Sequence, residues 1–175
     1  IHEEGPREGF QIEPGPISTA DKISLIDALS ETGLSEIQTS SFVNPTNVPG
    51  WAAAEAVVSG FKRHKDVKYT GLWLNERGLE RALAADDLYM RGSISNVASE
   101  AFMIRNTNRD REENIRVQHA QIEIYKKHNV PVARGGVMAA FGCNFEGEIS
   151  PAKVIETIQE IIDIANEHDI ELEYY

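Results

Sequence analysis

The chain has 175 residues, with 17 Lys and Arg against 28 Asp and Glu, a formal net charge of −11 and 41% apolar residues. Apolar residues spread along the whole length supply a sizeable core and exclude a disordered tail, while no run approaches the roughly 18 apolar residues of a membrane span. The acidic balance argues against nucleic acid as a partner, since phosphate binding needs clustered Lys and Arg. One cysteine, Cys143, excludes a disulfide framework and a cysteine-based zinc site. It fits a reducing compartment, so a cytoplasmic location is expected. No secretory or transit pattern stands at the N-terminus, although the chain begins at Ile1 rather than Met.

Short apolar runs alternate with amphipathic stretches. A first strand is expected over residues 1–4. A helix follows over about 19–32, where Ser18 and Asp21 resemble a capping box, Ile23, Ile26 and Leu29 form a stripe, and Gly33 marks the stop. The second strand falls at 35–43 and its helix at 51–64, the third at 67–74 with a helix at 76–85, and the fourth at 87–94. A long polar loop then leads to a helix over 110–129 and a fifth strand over 131–140. Ser150 caps the next helix, with Pro151 at its first position. Residues 170–175 read as a sixth strand.

Strict alternation of this kind means a parallel sheet with helices packed on it. Neither a GxGxxG nor a GxxxxGK[ST] motif is present, so nucleotide-binding versions of an open sheet lack support. A complete (β/α)8 barrel needs about 250 residues, more than the chain has. Residues 1–175 are read as a single domain.

Parallel α/β folds carry their chemistry at the C-terminal ends of the strands. After strand one, Gly5-Pro6-Arg7-Glu8-Gly9-Phe10-Gln11 places a guanidinium beside a carboxylate. Arginine can hold an oxyanion with two parallel donors and a carboxylate can ligate a hard cation; a solvated turn with a surface ion pair fits the same spacing. Gln38 to Ser41 close strand two, with Gln38 and Ser40 expected on one side and Thr39 and Ser41 on the other. Asn75, Ser93 and Ser95 lie after strands three and four and read either as site residues or as ordinary polar strand ends. Cys143, with no base identifiable beside it, reads as a buried structural thiol. Of the five histidines, His64, His128 and His168 fall near helix ends and His119 on a packed stripe; none forms a metal-binding pair in sequence.

Together these motifs resemble the 3-hydroxy-3-methylglutaryl-CoA lyase family of metal-dependent barrel enzymes, along nearly the whole chain. Residues 5–11 look like its GPRDGLQ motif and residues 37–45 like its IETTSFVSP. Asn75 with Gly78 looks like its PNxxG, and residues 141–151 like its GCPYEGxISP. The resemblance implies an α/β (β/α)8 TIM-barrel type, here about five βα units and a sixth strand. It implies metal-dependent, retro-Claisen type cleavage of 3-hydroxy-3-methylglutaryl-CoA or a related 3-hydroxyacyl-CoA to acetyl-CoA and a keto acid. It assigns the enolate oxygen to Arg7, a divalent cation, Mg²⁺ or Mn²⁺, to Glu8, and substrate contacts to Gln11, Gln38, Asn75 and Ser93. An acyl-CoA partner and a homo-oligomer are implied, with no nucleic acid and no membrane.

Two positions depart from the pattern: the family's metal-binding Asp is Glu8, and its Glu after strand two is Gln38. The family's His-x-His and Asn ligands, which follow the sixth strand, are not in this sequence, so weak metal binding and little activity are expected of these residues alone. Two alternatives accompany the lyase: a related 2-oxo-acid aldolase or condensing enzyme, and a catalytically incomplete fragment with a binding role only.

Overall fold

The structure, a computed structural model, describes residues 1–175 except Pro16, Asp86 and Tyr175. The backbone divides into two compact units, residues 1–90 and 91–175.

In the first unit, strand β1 (His2–Glu3) leads into a wide π-helical turn, Gly5–Gly9, and the single helical turn α1 (Phe10–Ile12). Helix α2 (Thr19–Ser30) starts where expected, because the Ser18 hydroxyl accepts from the Asp21 amide at 3.1 Å. Strand β2 (Glu36–Ser41), helix α3 (Ala54–Gly60), strand β3 (Lys68–Leu72) and helix α4 (Glu76–Ala84) follow. The expected helix over 51–64 is thus shorter: a 3₁₀ turn, Pro49–Trp51, precedes it, and Gly60 closes it. The three strands pair in parallel in the order β1-β2-β3.

The register contains one irregularity that matters for the site. Gln38 pairs with Thr70 and Ser40 with Gly71, so Thr39 is an extra residue in β2. Its hydroxyl donates to the Thr70 carbonyl at 3.1 Å. Simple alternation, which put Gln38 and Ser40 on one side, therefore fails at this bulge. Ile37 and Phe42 both enter the core, which also contains Ile26, Trp51, Val57 and Tyr69. Each such large side chain contributes about 1.5–3 kcal/mol on burial.

In the second unit, strand β4 spans Gly92–Val97, not 87–94. The apolar residues that suggested the earlier start have another use: Leu88 and Met90 pack on the first unit's core, and the Tyr89 amide bonds to β3 at the Tyr69 carbonyl. Part of the stretch read as a polar loop is helix α5 (Glu100–Thr107), capped by the Ser99 hydroxyl and ended by Asn108 in the left-handed region. Helix α6 (Arg111–Lys127), strand β5 (Val132–Met138) and helix α7 (Pro151–Glu167), capped by Ser150, match expectation.

Strand β5 pairs in parallel with β4. On β5's other side Arg134 forms a parallel bridge with Tyr174, and the Glu173 amide donates to the Ala133 carbonyl at 2.8 Å. The sixth strand expected over 170–175 is thus reduced to a bridge at Tyr174, with residues 170–173 outside regular strand; Tyr175 lies outside the described residues. Ile94, Ile122, Ile161 and Ile164 form the core beneath. Among the described residues no helix is long and apolar enough to cross a membrane.

Candidate active site

The site in the first unit is built on the turn after β1. Pro6 fixes its entry, and the Arg7 and Glu8 amides both return to the Glu4 carbonyl, at 3.0 and 2.7 Å. Glu3 Oε1 accepts from the Gly5 amide at 2.5 Å and would lie 2.7 Å from a Cβ added at Gly5, so a larger residue there would displace the carboxylate. Within this turn the Arg7 residue is only 9% exposed.

The Arg7 guanidinium is held from three directions. Its Nε donates to Gln38 Oε1 at 2.5 Å, Nη2 donates to Glu4 Oε2 at 2.6 Å, and Nη1 donates to Glu8 Oε2. Gln38 is itself buried. Because an arginine N–H can only donate, the contact fixes the orientation of the Gln38 amide. The pairing of β1 with β2, Glu3 opposite Ile37, sets Gln38 at the level of the turn. A buried cation needs paired charge, and Glu4 and Glu8 supply it. The Glu8 side chain is 54% exposed. It is an oxygen donor open to solvent, a type that suits a hard divalent cation.

The other expected site residues fall differently. Gln11 is exposed on α1. Asn75 is the N-cap of α4: its Oδ1 accepts from the Gly78 amide at 2.9 Å. It also lines a groove of about 620 Å³ with the Phe42–Thr46 segment, Glu55, Arg77 and Arg81. Arg81 grips Glu55 through two bonds of 2.7 and 3.0 Å and reaches the Val43 carbonyl at 3.0 Å. That guanidinium holds the Glu55 carboxyl below its usual range. Ser93 is the second residue of β4, half-buried and opposite Arg134. Its assignment to the C-terminal end of strand four is corrected by the later start of that strand.

In the second unit Cys143 is half-buried rather than a core thiol. Partial burial pulls its pKa upward. Hydrogen bonds to its sulfur from the Ser99 hydroxyl, at 3.0 Å, and from the Phe145 and Glu146 amides outweigh this and lower it. His119 and His168 contact one another at 2.8 Å. His168 and His128 are the C-caps of α7 and α6, whereas His64 lies beyond the end of α3. Sequence reasoning missed Glu4. It stands one residue before the motif, and the turn brings its carboxylate back to Arg7.

The HMGL-like family model matches residues 1–172. The chain belongs to the HMGL-like family. The human mitochondrial hydroxymethylglutaryl-CoA lyase is 42% identical over 156 residues, 89% of this chain and 47% of the relative. The solved hydroxymethylglutaryl-CoA lyase of Pseudomonas aeruginosa superposes with a TM-score of 0.81 at 35% identity, over 93% of this chain and 53% of that one. An HMG-CoA lyase from Acinetobacter baumannii, solved with coenzyme A and 3-methylmalate, gives 0.76 at 33% identity, over 94% and 52%. The chain thus spans about half the length of the relatives it matches. Its fold is the α/β barrel type of these lyases, of which it supplies the part described above.

Proposed function

We propose that this chain supplies the enolate-stabilising part of a divalent-metal-dependent acyl-CoA carbon–carbon lyase acting on 3-hydroxy-3-methylglutaryl-CoA or a related 3-hydroxyacyl-CoA. The observation that carries the reading is the buried Arg7 guanidinium at the end of β1, gripped by Gln38 and flanked by Glu4 and Glu8. Residues 1–175 act as one domain in this reading, in a cytoplasmic, homo-oligomeric enzyme.

In the reaction the 3-hydroxyl gives up its proton and the C2–C3 bond breaks. Its electron pair moves to C2 as a thioester enolate, which takes a proton to become acetyl-CoA, while C3 becomes the ketone of a keto acid. Arg7 presents N–H donors to the enolate oxygen, charge that exists only once the bond is breaking. Its fixed geometry requires no reorganisation at that moment. Glu8 would hold the divalent cation, Mg²⁺ or Mn²⁺, which when bound acidifies the substrate hydroxyl. Gln38 orients Arg7, and Gln11 and Asn75 are proposed substrate contacts, Asn75 through the groove it lines.

The test is Mn²⁺ titration followed by electron paramagnetic resonance, beside a coupled assay of acetyl-CoA release. Glu8→Ala weakens Mn²⁺ binding, and Arg7→Ala leaves it nearly intact while removing any cleavage. Unchanged Mn²⁺ affinity in Glu8→Ala overturns the metal assignment. A related reading, a binding role without catalysis, is favoured by the presence of a single exposed carboxylate in the Arg7 cluster for the metal; metal-dependent cleavage by the 175-residue chain refutes it.

A further inference from the structure

We infer that His119 and His168 form a binding site for a borderline divalent cation such as Zn²⁺, between helices α6 and α7 of the second unit. The site does not depend on the role proposed for Glu8. The sequence separates the two histidines by 49 residues, and helix packing brings them together: His119 stands on α6, His168 is the C-cap of α7, and His119 Nδ1 lies 2.8 Å from His168 Nε2. Their side chains are 31% and 14% exposed, so the pair is held by its helices yet reachable from solvent. Imidazole nitrogen suits Zn²⁺, Cu²⁺ and Ni²⁺, whereas Mg²⁺ and Mn²⁺ prefer oxygen. Tetrahedral Zn²⁺, at about 2.0–2.1 Å from each nitrogen, needs the two roughly 3.3 Å apart. That is about half an ångström more than the observed contact, which a small turn of each ring supplies.

The outer nitrogen of each ring separates this pair from an ordinary contact between histidines. A metal-bound histidine donates its other N–H to a carboxylate, carbonyl or water, and here each ring has a carboxylate in place. Glu123 Oε1 lies 3.3 Å from His168 Nδ1, and Glu167 Oε2 lies 3.8 Å from His119 Nε2. Lys126 is the competing group, its Nζ 3.0 Å from His168 Nδ1 and 3.2 Å from Glu123 Oε1. An ammonium only donates, so while Lys126 holds Nδ1 the His168 proton sits on Nε2 and is donated to His119 Nδ1. His119 then carries its own proton on Nε2, toward Glu167, and is already the tautomer that can ligate through Nδ1. Metal binding therefore changes one ring. The His168 proton passes through water from Nε2 to Nδ1 and is donated to Glu123, Nε2 becomes a ligand, and Lys126 gives up the ring but keeps Glu123. The two carboxylates offset the charge of Lys126, and the C-terminal end of α7, which His168 caps, adds partial negative charge that favours a cation. Water completes the coordination, and the bound ion clamps α6 to α7.

The experiment is Zn²⁺ titration of the 175-residue chain at pH 8 in competition with a fluorescent chelator, with the folding of each variant checked by circular dichroism. His119→Gln and His168→Gln each lower Zn²⁺ affinity at least tenfold, and Glu123→Gln lowers it at least threefold. Lys126→Met raises it at least threefold, an outcome that the loss of a merely structural contact would not produce. Zn²⁺ affinity unchanged in His119→Gln, or lost in Cys143→Ser instead, overturns the inference. A second measurement needs no variant: imidazole nitrogen resonances of the ¹⁵N-labelled chain, followed as Zn²⁺ is added. Zn²⁺ moves the His168 proton from Nε2 to Nδ1 and leaves His119 protonated at Nε2. Saturating Zn²⁺ that leaves both rings unshifted refutes the site.

Discussion

Gly78→Ala sets two effects against each other, and the structure decides the winner. Gly78 is the third residue of α4, where alanine gains up to about 1 kcal/mol in helix propensity. A Cβ there would meet the Phe42 carbonyl oxygen at 2.6 Å and Trp73 Cβ at 3.2 Å. The oxygen belongs to backbone anchored at the end of β2, whose Phe42 amide donates to the Leu72 carbonyl at 2.7 Å, so α4 must move instead. That movement also stretches the 2.9 Å cap from the Gly78 amide to Asn75. Overpacking of this kind costs about 1–3 kcal/mol. The net loss is roughly 1–2 kcal/mol, or a fall in Tm of roughly 2–8 °C for a chain this long. Gly9→Ala is the control: Gly9 is already helical, with φ −58° and ψ −44°, and an added Cβ meets nothing within 4 Å. Stiffening the unfolded chain stabilises that variant by about 0.4–1 kcal/mol. Thermal unfolding followed by circular dichroism reads both. A Gly78→Ala protein as stable as the parent would refute the steric argument.

Three further outcomes can be checked. Asn75→Ala loses about 1 kcal/mol as a missing cap while Asn75→Ser keeps most of it; if ligand binding falls equally in both, the amide itself touches the ligand. Burial lowers the Lys22 pKa below its ordinary 10.5, so the unfolded chain holds more protons between the two values and stability rises with pH up to 10.5. Lys22→Met should abolish that rise in urea titrations run from pH 8 to 10.5. Ser99→Ala removes a donor to Cys143 and should slow its alkylation by iodoacetamide at neutral pH, measured by mass spectrometry.

Elements whose boundaries carry their own chemistry were legible in sequence. The Ser18 and Ser150 caps lie at the starts of helices, and β2, β3 and β5 fall within the stretches that suggested them. Strand four was misread because Leu88 and Met90 look like strand and serve as packing, a distinction that only tertiary contacts make. Helix α5 hid behind polar residues, although Ser99 followed by Glu100 carried a start signal. In the site, Arg7 and Gln38 were found as residue types, and their meeting follows from the β1–β2 register. Glu4 was passed over because a wide turn has no sequence periodicity to announce which carboxylate it folds back. The capping role of Asn75 was not read, because an asparagine that caps a helix looks in sequence like one that awaits a ligand.

The extra residue at Thr39 has a consequence for how β2 can change over time. Gln38 must meet Arg7 while Phe42 must fill the core, yet four residues of uninterrupted strand would send both the same way. The bulge shifts the parity of the strand between them. Removing Thr39 together with the bulge would leave Gln38 and Phe42 three residues apart, a spacing that sends them to opposite faces of a regular strand, and would cost the Thr39 bond to the Thr70 carbonyl. What the segment must keep is the opposition of Gln38 and Phe42, and five residues with a bulge or four residues without one both meet it.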